Sequence, residues 1–114
     1  MVSAILTMNT VQDLITRLKK TKYSVACSGK DGLLAALVDL GFKYKSGNGE
    51  WHKIFTHRDL SLKTASAFTA FSIDCGHKPK KEMKINYVLD VIRVLETYQV
   101  ELQEILKNRS KDHD

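Results

Sequence analysis

"FKYKSGNGEWHKIFTH", residues 42–57, decides the fold. Gly47-Asn48-Gly49 separates two short runs in which aromatic or aliphatic residues alternate with polar ones, the pattern of two antiparallel strands joined by a tight turn. With Asn48 and Gly49 as the turn residues, Gly47 faces Glu50, Ser46 faces Trp51 and Lys45 faces His52. Further out, Tyr44 faces Lys53, Lys43 faces Ile54 and Phe42 faces Phe55. Side chains alternate across a strand, so one face collects Phe42, Tyr44, Trp51 and Phe55, with Lys53 as its charged member. The other collects Lys43, Lys45, Glu50 and His52, with Ile54 as its apolar member. The aromatic face is the one to bury, which leaves His52 on the open face, directly across from Lys45.

Working outward, Val11, Leu14, Ile15 and Leu18 have helical spacing, which predicts a short amphipathic helix over 10–20 capped by Asn9 or Thr10. Leu33, Leu34, Leu37 and Leu40 mark a second helix, stopped by Gly41. After the hairpin, "RDLSLKTAS" (58–66) reads as a loop and "AFTAFSIDC" (67–75) as a third strand rich in β-formers. Val88, Val91, Ile92, Leu95, Tyr98, Leu102, Ile105 and Leu106 then form one stripe along a single helix of about six turns. The order is α-α-β-β-β-α, a mixed α+β fold. A chain of 114 residues has room for one modest core, so 1–114 is a single domain. The short stripe near the N-terminus is not stable alone at that length, and Leu102, Ile105 and Leu106 need cover. These two pieces are expected to pack on each other, within one chain or across a homodimer.

Net charge is +5, which favours an anionic partner. Residues 1–41 sum to +2, 42–84 to +5 and 85–114 to −2, so the anion-binding surface is expected in the middle of the chain, around the hairpin. No apolar run approaches the roughly 18 residues of a membrane span, and "MVSAILTMNT" does not read as a signal peptide. Two cysteines, Cys27 and Cys75, do not make a secreted disulfide framework, so the cytoplasm is the default compartment. Cys75 with His77 lacks the second ligand pair of a zinc motif, and Cys75 reads as a buried structural cysteine. His57 and His113 read as surface residues.

The chemistry these residues suit is RNA cleavage. Attack by the 2′-hydroxyl on the adjacent phosphate needs a base for its proton and positive charge for the phosphorane. Histidine, titrating near about pH 6.5, is suited to the first task, and lysines to the second. "HKPKKEMK" (77–84) adds Lys78, Lys80, Lys81 and Lys84 at the entry to the last helix, where phosphates are favoured.

"GEWHKIFTH" resembles the Gly-x-His-basic-apolar-aromatic-x-His segment of the HicA toxins, small ribonucleases that degrade messenger RNA. "FSIDCGHKPKKEMKINYVLDVI" (71–92) is similar to that family's third strand, its histidine-containing loop and the lysine-rich entry to its last helix. "DGLLAALVDLGFKYK" (31–45) is similar to its first helix and strand. The resemblance covers about 30–95, leaving 1–29 as an N-terminal extension and 96–114 as a C-terminal helical one. It implies a double-stranded-RNA-binding-like α-β-β-β-α core and a metal-independent endoribonuclease without cofactor. It implies His52 as the catalytic residue, and Lys43, Lys45, Lys53, His77, Lys78, Lys80, Lys81 and Lys84 as RNA contacts. It further implies a type II toxin–antitoxin system with a HicB-like antitoxin as protein partner. Two departures stand out: Trp51 replaces the small serine before the histidine, and "IDCGH" lacks the proline near the end of strand three. The rival reading is a non-catalytic RNA-binding module of the same fold, and a third is a pure protein-interaction domain.

Overall fold

The computed structural model describes residues 2–47, 49, 51–76 and 82–112, with side chains over 10–47, 49, 51–76 and 82–109. The order among them is α1 (Val2–Thr21), α2 (Leu33–Asp39), β1 (Lys43–Ser46), β2 (His52–Thr56), α3 (Arg58–Lys63), β3 (Phe71–Asp74), α4 (Ile85–Thr97) and α5 (Gln99–Asp112). The fold is mixed α+β, with a three-stranded antiparallel sheet in the order β1-β2-β3. None of these helices is long and apolar enough to cross a membrane.

The hairpin forms with the expected faces but not the expected register. Tyr44 pairs with Phe55, Lys45 with Ile54 and Ser46 with Lys53, a slide of two residues from pairing across an Asn48-Gly49 turn. Gly47 and His52 close the hairpin, the Gly47 N–H donating to the His52 carbonyl at 2.8 Å. Because the slide is even, no side chain changes face. Its physical gain is on the aromatic side. Tyr44 comes to lie 5.4 Å from the Phe55 ring, and the Lys53 amine reaches the Ser46 hydroxyl at 3.4 Å and the Tyr44 ring at 6.0 Å. The Gly47–His52 closing pair rules out the expected Gly47–Glu50 pairing across a two-residue turn; Asn48 and Glu50 themselves lie outside the described residues.

Under the sheet, Phe55 stacks on Phe71 at 5.1 Å, and Phe42 meets Phe55, Phe68 and Phe71 edge-on, the offset and T-shaped geometries that aromatic rings prefer. Tyr44, on the edge strand, stays 43% exposed. α2 ends as its glycine predicts: Gly41 has φ +100°, and its N–H bonds the Val38 carbonyl at 2.9 Å.

Further expectations are corrected. α1 begins at Val2, so Asn9 and Thr10 lie inside it rather than at its cap. The segment 58–66 is not all loop, since α3 occupies most of it. His57 caps α3, its ring Nδ1 accepting the Leu60 N–H at 3.2 Å, so His57 is 2% exposed rather than a surface residue. The last helix is also two helices, broken at Tyr98, whose φ and ψ are −112° and 21°. A straight continuation would carry Leu102 beyond the small sheet. The break instead lets α5 pack against α1 and α3, and the Tyr98 ring meets Phe68 at 5.5 Å. Val11, Leu14, Ile15 and Leu18 are thereby buried, as are Leu102, Ile105 and Leu106. The two extension stripes cover each other within one chain. The Val11 N–H bonds Gln103 Oε1 at 3.3 Å, and Gln99 bonds Gln12 at 2.7 Å across the same seam.

Candidate nucleic-acid interface

Alternation along the paired strands puts Lys43, Lys45, His52, Ile54, Thr56, Ser72 and Asp74 on the face of the sheet away from the aromatic cluster. Lys43 and Lys45 are exposed, and His52 is half-buried. His52 begins β2, the central strand, so it has a neighbour on each side. On the β1 side that neighbour is Gly47, and a Cβ there would stand 2.5 Å from His52 Cδ2 and 3.0 Å from Ile54 Cδ1. The imidazole occupies the space a side chain at 47 would take. Glycine is needed here for close approach rather than for its backbone angles.

On the β3 side the partner is Asp74. Its Oδ1 accepts the Gly76 N–H at 2.8 Å, which turns the chain at the end of β3. The register places Lys45 opposite Ile54, diagonal to His52 rather than across from it. Diagonal neighbours remain within reach of a long side chain, so Lys45 still shares the His52 face. Lys53 does not; it lies on the opposite face with Phe55. Lys84 is exposed at the N-cap of α4, and its side chain makes no capping bond. His77, Lys78, Lys80 and Lys81 lie outside the described residues, as does His113.

Three features of this region had little sequence signal. Cys27 and Cys75 form a disulfide, with Cα atoms 5.7 Å apart and both residues buried. Cys75 is therefore structural, as its reading holds, but it is cross-linked to the N-terminal extension. The Cys75 N–H donates to the Trp51 carbonyl at 2.9 Å, so this cross-link sits one residue from His52. His57 was the second missed feature. Its Nε2–H donates to the Leu40 carbonyl at 3.1 Å while Nδ1 accepts from Leu60, which fixes one neutral tautomer. Burial holds its pKa below the ordinary histidine value, against the opposing bond to Leu40. Asp74 was the third, and a register carried from the hairpin into strand three would have found it.

Among the described residues, no three His, Cys, Asp or Glu side chains cluster as a metal site. What the face can do is hold an anion over an accessible imidazole. No family model, curated protein or solved structure matches this chain.

Proposed function

We propose that this protein is a HicA-like endoribonuclease that cleaves messenger RNA without a metal ion or cofactor, its core built on the double-stranded-RNA-binding-like plan. The observation that carries the reading is the placement of His52. It is a half-buried histidine on the open face of the central strand, seated over Gly47, with Lys43 and Lys45 on the same face.

His52 acts as the general base. It takes the proton of a ribose 2′-hydroxyl, O2′ forms a bond to the adjacent phosphorus, and the bond from phosphorus to O5′ breaks. The departing O5′ receives a proton from the imidazolium or from water, leaving a 2′,3′-cyclic phosphate and a 5′-hydroxyl. Lys45, diagonal to His52, stabilises the charge that builds on the phosphorane oxygens, and Lys43, further along the strand opposite Thr56, holds a neighbouring phosphate. Lys84, with the lysines of 78–81, guides the strand. The open basic face is also the surface for a HicB-like antitoxin, which would meet it with acidic groups and exclude RNA.

The test is cleavage of a long single-stranded RNA by wild type and His52→Ala at equal, verified folding. Loss of cleavage with RNA binding retained is the expected result, and His52→Gln should be equally inactive, since an amide cannot exchange a proton near neutral pH. Equal cleavage by both proteins removes His52 from the chemistry. Salt-sensitive RNA binding with no cleavage by wild type selects the non-catalytic RNA-binding module instead.

A further inference from the structure

All five lysines and arginines of residues 1–41 fall between 17 and 30: Arg17, Lys19, Lys20, Lys22 and Lys30. The structure gathers most of them where α1 ends. Lys19 is committed to Glu96 of α4 at 2.7 Å, while Lys20 on the last turn and Arg17 just before it are exposed. Ser24 closes the turn after the helix with two bonds to the Thr21 carbonyl, from its N–H at 2.7 Å and its hydroxyl at 3.1 Å. That turn displays Tyr23, 73% exposed, with the Lys22 amine 5.7 Å from its ring centre. An aromatic side chain this exposed contributes little to the core.

Beneath the turn lies a cleft of about 490 Å³ whose walls include Arg17, Thr21, Ser24, Ser28 and Asp31. Ser28 Oγ is buried there without a hydrogen-bond partner among the described residues. A hydroxyl so placed is ready to donate to a group entering from solvent. Within the cleft wall the Asp31 carboxylate offsets Arg17, so the net positive charge for an anion comes from the exposed turn beside it, where Lys20 and Lys22 lie.

This patch lies at the His52 end of the sheet. Val25 accepts the Met83 N–H at 2.7 Å, and Ala26 bridges Glu82, which brings Lys84 alongside the 22–24 turn. Cys27 is bonded to Cys75, and Cys75 is paired to Trp51, the residue before His52. Tyr23 is four residues from Cys27, at most about 14 Å of chain. Adding 5.7 Å across the disulfide and about 5 Å from Cys75 to Trp51 keeps Tyr23 within roughly 30 Å of His52, a span that a strand of the roughly 4–16 nucleotides such grooves hold can cover.

Resting on the RNA reading above, we propose that the N-terminal extension carries a second RNA-contact surface. Arg17 and Lys22 hold phosphates, Tyr23 stacks on a base, and the strand runs on past Lys84 to the His52 face. An exposed aromatic beside a cation favours RNA over an acidic protein, because every base offers a face to stack on.

The experiment measures binding of a fluorescent 12-nucleotide RNA, and of polyglutamate, across a salt series. The proteins are wild type, Tyr23→Ala, Arg17→Ala/Lys22→Ala and Lys43→Ala/Lys45→Ala, each checked for unchanged melting. Tyr23→Ala should weaken RNA binding by about 5- to 150-fold. Arg17→Ala/Lys22→Ala should reduce the slope of log Kd against log salt by about 1.4, at ~0.7 per phosphate contact on a single strand. Unchanged RNA binding in both, with weakened binding in Lys43→Ala/Lys45→Ala, overturns the second surface and leaves the His52 face standing. Wild type that binds no RNA at low salt overturns both. Tyr23→Ala without effect, and Arg17→Ala/Lys22→Ala losing polyglutamate and RNA alike, overturns it in favour of an acidic protein partner.

Discussion

Reducing the Cys27–Cys75 bond opens a cross-link between residues 48 apart in sequence, a span that contains α2, α3 and all three strands of the sheet. In the chain-entropy account a loop of that length restrains the unfolded chain by about 4 kcal/mol. Unfolding entropy near 60 °C is about 2.1 cal/mol/K per residue, or roughly 0.24 kcal/mol/K for this chain, so reduction should lower Tm by ~17 °C. Comparing oxidised and reduced wild type isolates the bond itself, without the lost packing of two buried sulfurs. Cys27→Ala/Cys75→Ala should melt at least as low as the reduced protein and be indifferent to reductant. Thiol titration in denaturant should find no free thiol in protein prepared without reductant, and two after reduction. Two free thiols in the unreduced protein, or a reduced melting point within about 3 °C of the oxidised one, would refute the reasoning.

Gly47→Ala puts a Cβ against the His52 ring, so cleavage should fall at least about tenfold, with RNA binding kept and the His52 imidazole resonances shifted. His57→Ala removes a helix cap and strands the Leu40 carbonyl, a cost of about 2–4 kcal/mol in chemical denaturation. Because His57 is held below its ordinary pKa, the unfolded chain binds the proton more readily. Stability from this group is therefore full above about pH 6.5 and is lost as pH falls through its lowered folded value. His57→Gln should flatten that acid limb in urea titrations, and an unchanged limb would assign it to other groups. Leu102→Ala, at the seam of α1 and α5, should cost about 2–5 kcal/mol, and deleting 1–22 should expose that seam to a hydrophobic dye.

What could be read from sequence here was parity. The side chains of the hairpin alternate, so any register that differs by two residues gives the same two faces, and the open position of His52 was legible without knowing its partner. The register was not legible, because Asn48-Gly49 is a strong turn signal and nothing local reports that Lys53 does better beside Ser46 and Tyr44. α3 was missed for a related reason. Its cap is a histidine whose bond to Leu40, 17 residues back, exists only once β2 has been placed against the end of α2. The stripe from Val88 to Leu106 identified the buried face of both terminal helices correctly. Periodicity carries no information on a break that leaves the stripe continuous, so the turn at Tyr98 was invisible. The basic cluster at 17–30 was hidden by averaging, since Asp13 and Asp39 lower the sum for residues 1–41 without lying near Tyr23 in sequence.

The N-terminal extension meets the end of the sheet at the loop that follows α1, and that junction bears on both chemistry and compartment. The loop that follows α1 is held by the Ala26–Glu82 bridge, by the bond from Met83 to Val25 and by the disulfide. The first two are hydrogen-bonded contacts of modest net strength, about 0.5–1.5 kcal/mol each, so the disulfide is the largest single restraint on that loop. Such bonds persist in oxidising compartments, and in a reducing cytosol they are typically transient. If the proposed messenger-RNA cleavage takes place in a reducing cytosol, the Cys27–Cys75 pair would be largely reduced there. In that state α1 stays docked through Leu102, Ile105 and Leu106, while the 22–28 loop loses its tie to the strand end beside Trp51. The two proposed RNA surfaces would then be joined less rigidly. Binding of a strand long enough to touch both should weaken on reduction, whereas binding confined to the His52 face should change less. That comparison, made with short and long RNA in the same buffer, separates a disulfide that only stabilises the fold from one that also sets the spacing of the track.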